Sequence, residues 1–193
     1  MDDRARFEEF AKLATEQRNP RTMDLDTLEV PDLLARINAE DRTVADAVAH
    51  ELPYIARAVD YAIASFRAGG RLVYVGAGTS GRLGVLDASE CPPTFGSDPD
   101  QVVGVIAGGY AAVVRAVEGA EDRSDEGIKA MDDLGVCPED TVVGLAASRR
   151  TPYVVAAIER ARELGARTVY VTCTPREEFE LPVDVAILSL IHI

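Results

Sequence analysis

Two short runs rich in glycine and hydroxyl groups, and two glutamate clusters, are where this chain can do chemistry. The first run, Gly76-Ala-Gly-Thr-Ser-Gly81, follows a short apolar stretch and leads into helix-forming residues. That order presents the backbone N–H groups of a helix N-terminus to an anion, and phosphate suits it. The second run, Ser148 to Thr151, follows another apolar stretch and precedes Pro152, which is well placed in the first turn of a helix. Ser148 and Thr151 have two readings, capping that helix or holding phosphate, and spacing leaves both open. Glu90 stands just ahead of Pro92 and Pro93, in a stiff segment expected close to the first turn. Glu118, Glu121 and Asp122 form the other cluster. Either cluster can be plain surface charge. A carboxylate pair beside a sugar phosphate would also suit proton transfer on both sides of a carbon–oxygen bond. One carboxyl would then be protonated and the other ionised.

Several chemistries are excluded. The pattern Gly76-x-Gly78-x-x-Gly81 also fits a dinucleotide fingerprint, which needs an acidic residue at the end of the next strand. Here that strand ends in Ala107, Gly108 and Gly109, without a carboxylate. No lysine follows the turn as a P-loop requires. Cys91 has no neighbouring histidine to activate it and reads as a quiet thiol. Cys91, Cys137 and Cys173 are scattered, as reduced thiols would be, and with His50 and His192 they form no recognised metal spacing. A net charge of −13 argues against nucleic acid. No apolar run reaches the roughly 18 residues of a membrane span. The N-terminus lacks the basic-then-apolar order of a signal peptide, so a cytoplasmic location is expected.

The elements that must position these groups alternate. Strands are expected at 72–75, 102–107, 141–146, 168–172 and 183–188. Helices are expected near 82–88, 111–118, 124–133 and 153–164. Strict alternation gives a doubly wound α/β fold, a five-stranded and mainly parallel sheet with helices on both faces. Its ligands bind beyond the carboxyl ends of the strands, so both hydroxyl-rich turns should share one rim. Residues 1–68 read as an N-terminal extension and a helical segment over 30–67, with Pro53 near a kink or a helix start. Val44, Ala47, Val48, Leu52, Ile55, Val59 and Ile63 form its apolar stripe. Residues 69–193 form the sheet domain.

The block from Gly76 to Gly96, containing Thr79, Ser80, Asp87, Glu90, Cys91, Pro92 and Pro93, resembles the signature of N-acetylmuramic acid 6-phosphate etherases. These belong to the sugar isomerase (SIS) group of phosphosugar-binding folds. Segments 15–20, 106–109, 116–122, 146–148 and 150–154 are similar too, in family order. The resemblance implies cleavage of the lactyl ether of N-acetylmuramic acid 6-phosphate, giving N-acetylglucosamine 6-phosphate and D-lactate in cell-wall sugar recycling. Elimination followed by water addition needs no metal and no organic cofactor. By this likeness Glu90 is the acid that protonates departing lactate, and Glu121 takes the C2 proton. Gly78, Thr79, Ser80, Gly81, Ser148, Arg150 and Thr151 fall on positions that hold the phosphorylated sugar. The family also implies a homodimer with its site between subunits; the 44–63 stripe would supply that interface or cover the sheet.

Two departures stand out. Arg149 replaces a family glycine, and it would either weaken phosphate binding or compensate with a bidentate contact. The family also continues beyond this chain, whose last residues, 189–193, do not resemble the continuation; a C-terminal truncation is expected. A non-catalytic sugar-phosphate sensor is the alternative, and an aldose–ketose isomerase fits less well because the whole block around Glu90 is retained.

Overall fold

The computed structural model describes residues 14–188. Residues 1–13 and 189–193, with the leader, His192 and tail readings that concern them, lie outside the described residues.

Five strands form one parallel sheet in the order β2-β1-β3-β4-β5: β1 (Leu72–Gly76), β2 (Val102–Ile106), β3 (Thr141–Leu145), β4 (Arg167–Thr172) and β5 (Val185–Leu188). The strands arise because each is built around a short apolar run, as expected of a sheet buried on both faces. Among the described residues five α-helices accompany them: α1 (Val30–Arg67), α2 (Gly78–Phe95), α3 (Tyr110–Val114), α4 (Ser124–Asp133) and α5 (Pro152–Glu163).

Alternation along each strand separates the two layers. Val73, Val75, Val142 and Tyr170 meet Met131 of α4 and Val154, Ala157, Ile158 and Ala161 of α5 in the main core. Each buried valine there contributes about 1.5–3 kcal/mol. On the other face, Val143, Val169 and Val185 pack under Tyr54, Ala58 and Tyr61 of α1. Helix α2 lies on this second face as well, because the absent side chains of Gly84 and Gly104 let it close on the sheet. A Cβ at Gly84 would stand 2.8 Å from the Tyr74 Cβ, and one at Gly104 would stand 2.6 Å from the Val85 Cα.

The long α1 runs unbroken through Pro53, which therefore neither starts nor ends a helix. The aliphatic stripe meets the sheet side only in part: Val44, Ala47, Val48 and Ile55 are half-buried, while the rest turns outward. Leu52, Val59 and Ile63 are 56%, 50% and 39% exposed. The residues that make the sheet contacts are Glu51, Tyr54, Ala58, Tyr61 and Ser65. Ser65 hydroxyl shares a 2.8 Å hydrogen bond with the Thr141 hydroxyl. The Glu51 carboxylate accepts from the Leu188 backbone N–H at 2.9 Å and from Arg176 at 2.7 Å. The Arg176 guanidinium lies 3.8 Å above the Tyr54 ring, a cation–π contact.

At the amino end of the sheet, Asp140 is fully buried. It accepts from the Arg71 backbone N–H (2.8 Å), from the Arg71 Nη2 (2.6 Å) and from the Cys137 backbone N–H (3.2 Å). Burial by itself would push this carboxyl up. The Arg71 side chain, the two backbone donors and the Arg71 charge outweigh it and hold the carboxyl below the ordinary carboxylate range.

Candidate functional site

The strand order reverses between β1 and β3, where Gly76 is in register with Leu145. Adjacent strands are about 4.8 Å apart, so the segments that leave these two residues start side by side. That is the switch point at which open α/β sheets bind ligands. Both hydroxyl-rich turns stand on this rim.

The first turn is the start of α2 itself, rather than a loop ahead of it. Gly78 opens the helix at φ 53°, and Gly81 donates its N–H to the Ala77 carbonyl at 3.1 Å. The N-cap Ala77 offers no side-chain cap, so the N–H groups ahead of Gly81 lack a partner from their own helix. Thr79 is exposed and Ser80 half-buried at this open end. The glycines have separate reasons. A Cβ on Gly76 would come within 2.7 Å of the Gly81 Cα, and one on Gly81 within 2.7 Å of the Ile106 Cγ1. Gly76 and Gly81 therefore let α2 close on the sheet, while Gly78 supplies the left-handed torsion.

The second turn ends at Thr151, the N-cap of α5, and its hydroxyl makes no capping bond. Ser148 does not cap either; its Oγ accepts from the Arg150 N–H inside the turn, at 3.4 Å. The capping alternative thus lacks its hydrogen bond at both residues. β4 braces the turn from the side: the Ala147 carbonyl accepts from the Thr172 hydroxyl and from the Cys173 N–H, each at 2.9 Å. Arg149 reaches the exposed Glu180 carboxylate only at 3.6 Å, and its Nε is cut off from solvent without a hydrogen-bond partner. Two arginines ahead of a helix N-terminus are the reverse of the usual preference for negative charge there.

The glutamates part company. Glu121 sits on a 3-10 turn, Ala120–Asp122, capped by Gly119 at φ 70°. It lines a cavity of about 170 Å³ together with Gly78, Arg82 and Glu118, so it stands next to the first turn. Glu90 does not. It is exposed on α2, about three turns or roughly 18 Å beyond Gly78 at the α-helical rise. The expectation of Glu90 beside Thr79 and Ser80 within one chain therefore fails. The segment read as stiff is helix, with Pro92 and Pro93 in its last turn. On the same outward side, Leu83 and Leu86 are 60% and 57% exposed. Beside Glu90, the Cys91 thiol donates to the Asp87 carbonyl at 3.3 Å. Burial, with the Asp87 charge behind it, pushes that thiol up and away from the reactive thiolate.

Among the described residues no three histidine, cysteine, aspartate or glutamate side chains gather as a metal site would require. No helix of the described residues is long and apolar enough to cross a membrane.

Sequence reasoning missed Arg82. It donates through Nε to the Val113 carbonyl at 3.1 Å and through Nη2 to the Arg115 carbonyl at 3.3 Å. Its acceptors are backbone atoms, which carry no residue-type signal.

Comparison with known proteins adds the following. A family model described as the glucokinase regulatory protein N-terminal SIS domain matches residues 54–162. An N-acetylmuramic acid 6-phosphate etherase of Salinibacter ruber is 53% identical over 98% of this chain and 61% of its own length. The etherase of Mycolicibacterium smegmatis is 55% identical over 93% of this chain and 60% of its own. The chain thus spans about three-fifths of the length of these curated relatives. Among solved structures, a phosphoheptose isomerase from Francisella tularensis superposes with a TM-score of 0.61 at 20% identity, over 81% of this chain and 85% of its own. One from Neisseria gonorrhoeae gives 0.58 at 16%, over 84% and 87%. At those identities the structural likeness establishes the fold alone.

Proposed function

The chain belongs to the SIS-domain family represented by that model, and from this premise we propose that it carries the phosphosugar-holding part of an N-acetylmuramic acid 6-phosphate etherase. In this reading the described residues from 69 onward are the sheet unit, and α1 packs on it. The observation that carries it is the pair of helix N-termini without side-chain caps, α2 and α5, which follow the neighbouring strands β1 and β3 at the switch, with Thr79, Ser80, Ser148 and Thr151 on the two turns. Helix termini with free N–H groups favour a doubly charged oxyanion. Thr79, Ser80, Ser148 and Thr151, with the backbone from Gly78 to Ser80 and the Arg150 side, take the 6-phosphate of the sugar, while Gly81 lets the helix start approach the strand.

The phosphate fixes the opened sugar with its C2 toward Glu121. The aldehyde at C1 acidifies the C2 hydrogen. Glu121 removes that proton, the C3–oxygen bond breaks, a C2–C3 double bond forms, and a carboxylic acid protonates the leaving lactate oxygen. Water then adds, its hydroxyl to C3 and its hydrogen to C2. The acid is Glu90, and it comes from a second copy of the chain, since about 18 Å of helix exceeds the length of a hexose phosphate. Leu83 and Leu86 beside it, and Leu52, Val59 and Ile63 on α1, are exposed aliphatic side chains that such a homodimer would cover.

The test is incubation of the chain with N-acetylmuramic acid 6-phosphate and measurement of D-lactate. Release that disappears in Glu90→Ala supports the reading; undiminished release in that variant removes Glu90 from the mechanism. One observation favours a second reading, a sugar-phosphate binder without turnover: within one chain Glu90 and Glu121 do not meet. Saturable sugar-phosphate binding with no lactate, at concentrations where the chain is dimeric, would select it.

A further inference from the structure

We propose that Arg82 is a positioning residue that sets the Glu121 segment against the first turn of α2. Its catalytic consequence rests on the etherase reading above, while its mechanical part stands alone. Arg82 lies on α2 one turn beyond Gly78 and is half-buried. Its two hydrogen bonds go to the Val113 and Arg115 carbonyls. A five-residue helix such as α3 leaves its last carbonyls without partners of its own. The Arg82 fork fills two of them, and the chain goes directly from Arg115 to Glu118 and Glu121. Among the described residues these are the two hydrogen bonds that join α2 to this segment.

The same side chain lines the cavity that Gly78 and Glu121 line. One wall of that cavity is the start of α2; the other is the segment held by the fork. Arg82 therefore fixes the separation between the phosphate-holding helix end and the proton-abstracting carboxylate. A lysine there keeps the charge but is a single point donor, and cannot reproduce two parallel N–H contacts at fixed spacing.

The experiment compares wild type, Arg82→Lys and Arg82→Met as full chains, with circular dichroism as the check on folding. Backbone deuterium uptake over 115–123 is measured without ligand, and lactate release is measured with N-acetylmuramic acid 6-phosphate. Uptake is expected to rise in Arg82→Met, with partial recovery in Arg82→Lys. In the active enzyme kcat should fall about 10–100-fold, the scale of a misplacement of about 1 Å, while KM changes little because the phosphate turns are untouched. Unchanged uptake in both variants would overturn the proposal. So would raised uptake with kcat intact, or equal losses in KM and kcat. If wild type releases no lactate, the etherase reading fails separately and the uptake comparison alone decides. If Arg82→Met fails to fold, Arg82→Lys carries the same comparison.

Discussion

If Glu90 acts on the partner's sugar, two dead variants should revive each other. Glu121 lines the same cavity as its own Gly78, whereas Glu90 lies roughly 18 Å along α2 from that residue. Every site in an isologous dimer would then draw Glu121 from one chain and Glu90 from the other. Glu90→Gln and Glu121→Gln each leave both sites of their homodimer defective. In the mixed dimer one site inherits both substitutions and the other inherits neither. A purified heterodimer should therefore show about half the wild-type turnover per dimer, and a random co-expressed mixture about a quarter, by the two-fold symmetry. The assay is D-lactate release from differently tagged, doubly purified chains, with each homodimer as the baseline. A heterodimer no more active than its parents would refute the shared-site geometry, because a site built within one chain always keeps one of the two lesions.

Three further outcomes follow from particular contacts. Asp140→Asn should cost about 3–5 kcal/mol in urea unfolding at neutral pH, the scale of breaking a buried ion pair. Because the folded-state pKa of Asp140 is depressed, its contribution is complete above the ordinary carboxylate range and fades as pH falls through the lower folded value. The gap between wild type and variant should accordingly narrow in acid; a gap that widens there would contradict the assignment. Gly81→Ala should lose about 1–2 kcal/mol in thermal unfolding, since overpacking against Ile106 and the Gly76 backbone exceeds the helix-propensity gain. It should also raise KM, and a stabilised variant would show that α2 can move. Arg149→Gly removes a guanidinium whose Nε is buried without a partner, and it should lower KM for the phosphosugar several-fold. No improvement in a titration would discard the idea that Arg149 impedes binding.

The strands were legible because each is built around a short apolar run between polar breaks, and their observed ends differ from the expected ones by two residues at most. Helix α4 matched over Ser124–Asp133. Helix α2 was read too short at both ends. Glycine at its start and two prolines near its close are turn signals in sequence, yet Gly78 supplies the entry torsion and the prolines fall in the final turn. That single misreading put Glu90 beside the phosphate turn. The docking side of α1 was hidden for another reason. Its side chains, Glu51, Tyr54, Tyr61 and Ser65, act through hydrogen bonds and ring contacts that hydropathy periodicity does not register. The hydroxyl positions on the rim were readable because parallel strands in register can only send their following segments to one edge.

The tie between Glu51 and Leu188 joins groups 137 residues apart, which makes it an event in time as well as in space. A ribosome adding about 5–20 residues per second needs on the order of ten seconds to span that interval. Through that delay the Glu51 part of the α1 docking side waits for the last described strand. The nascent chain thus carries Glu51 early and its closing latch late, an ordering under which a chaperone or a neighbouring nascent copy has the first opportunity to shelter that carboxylate.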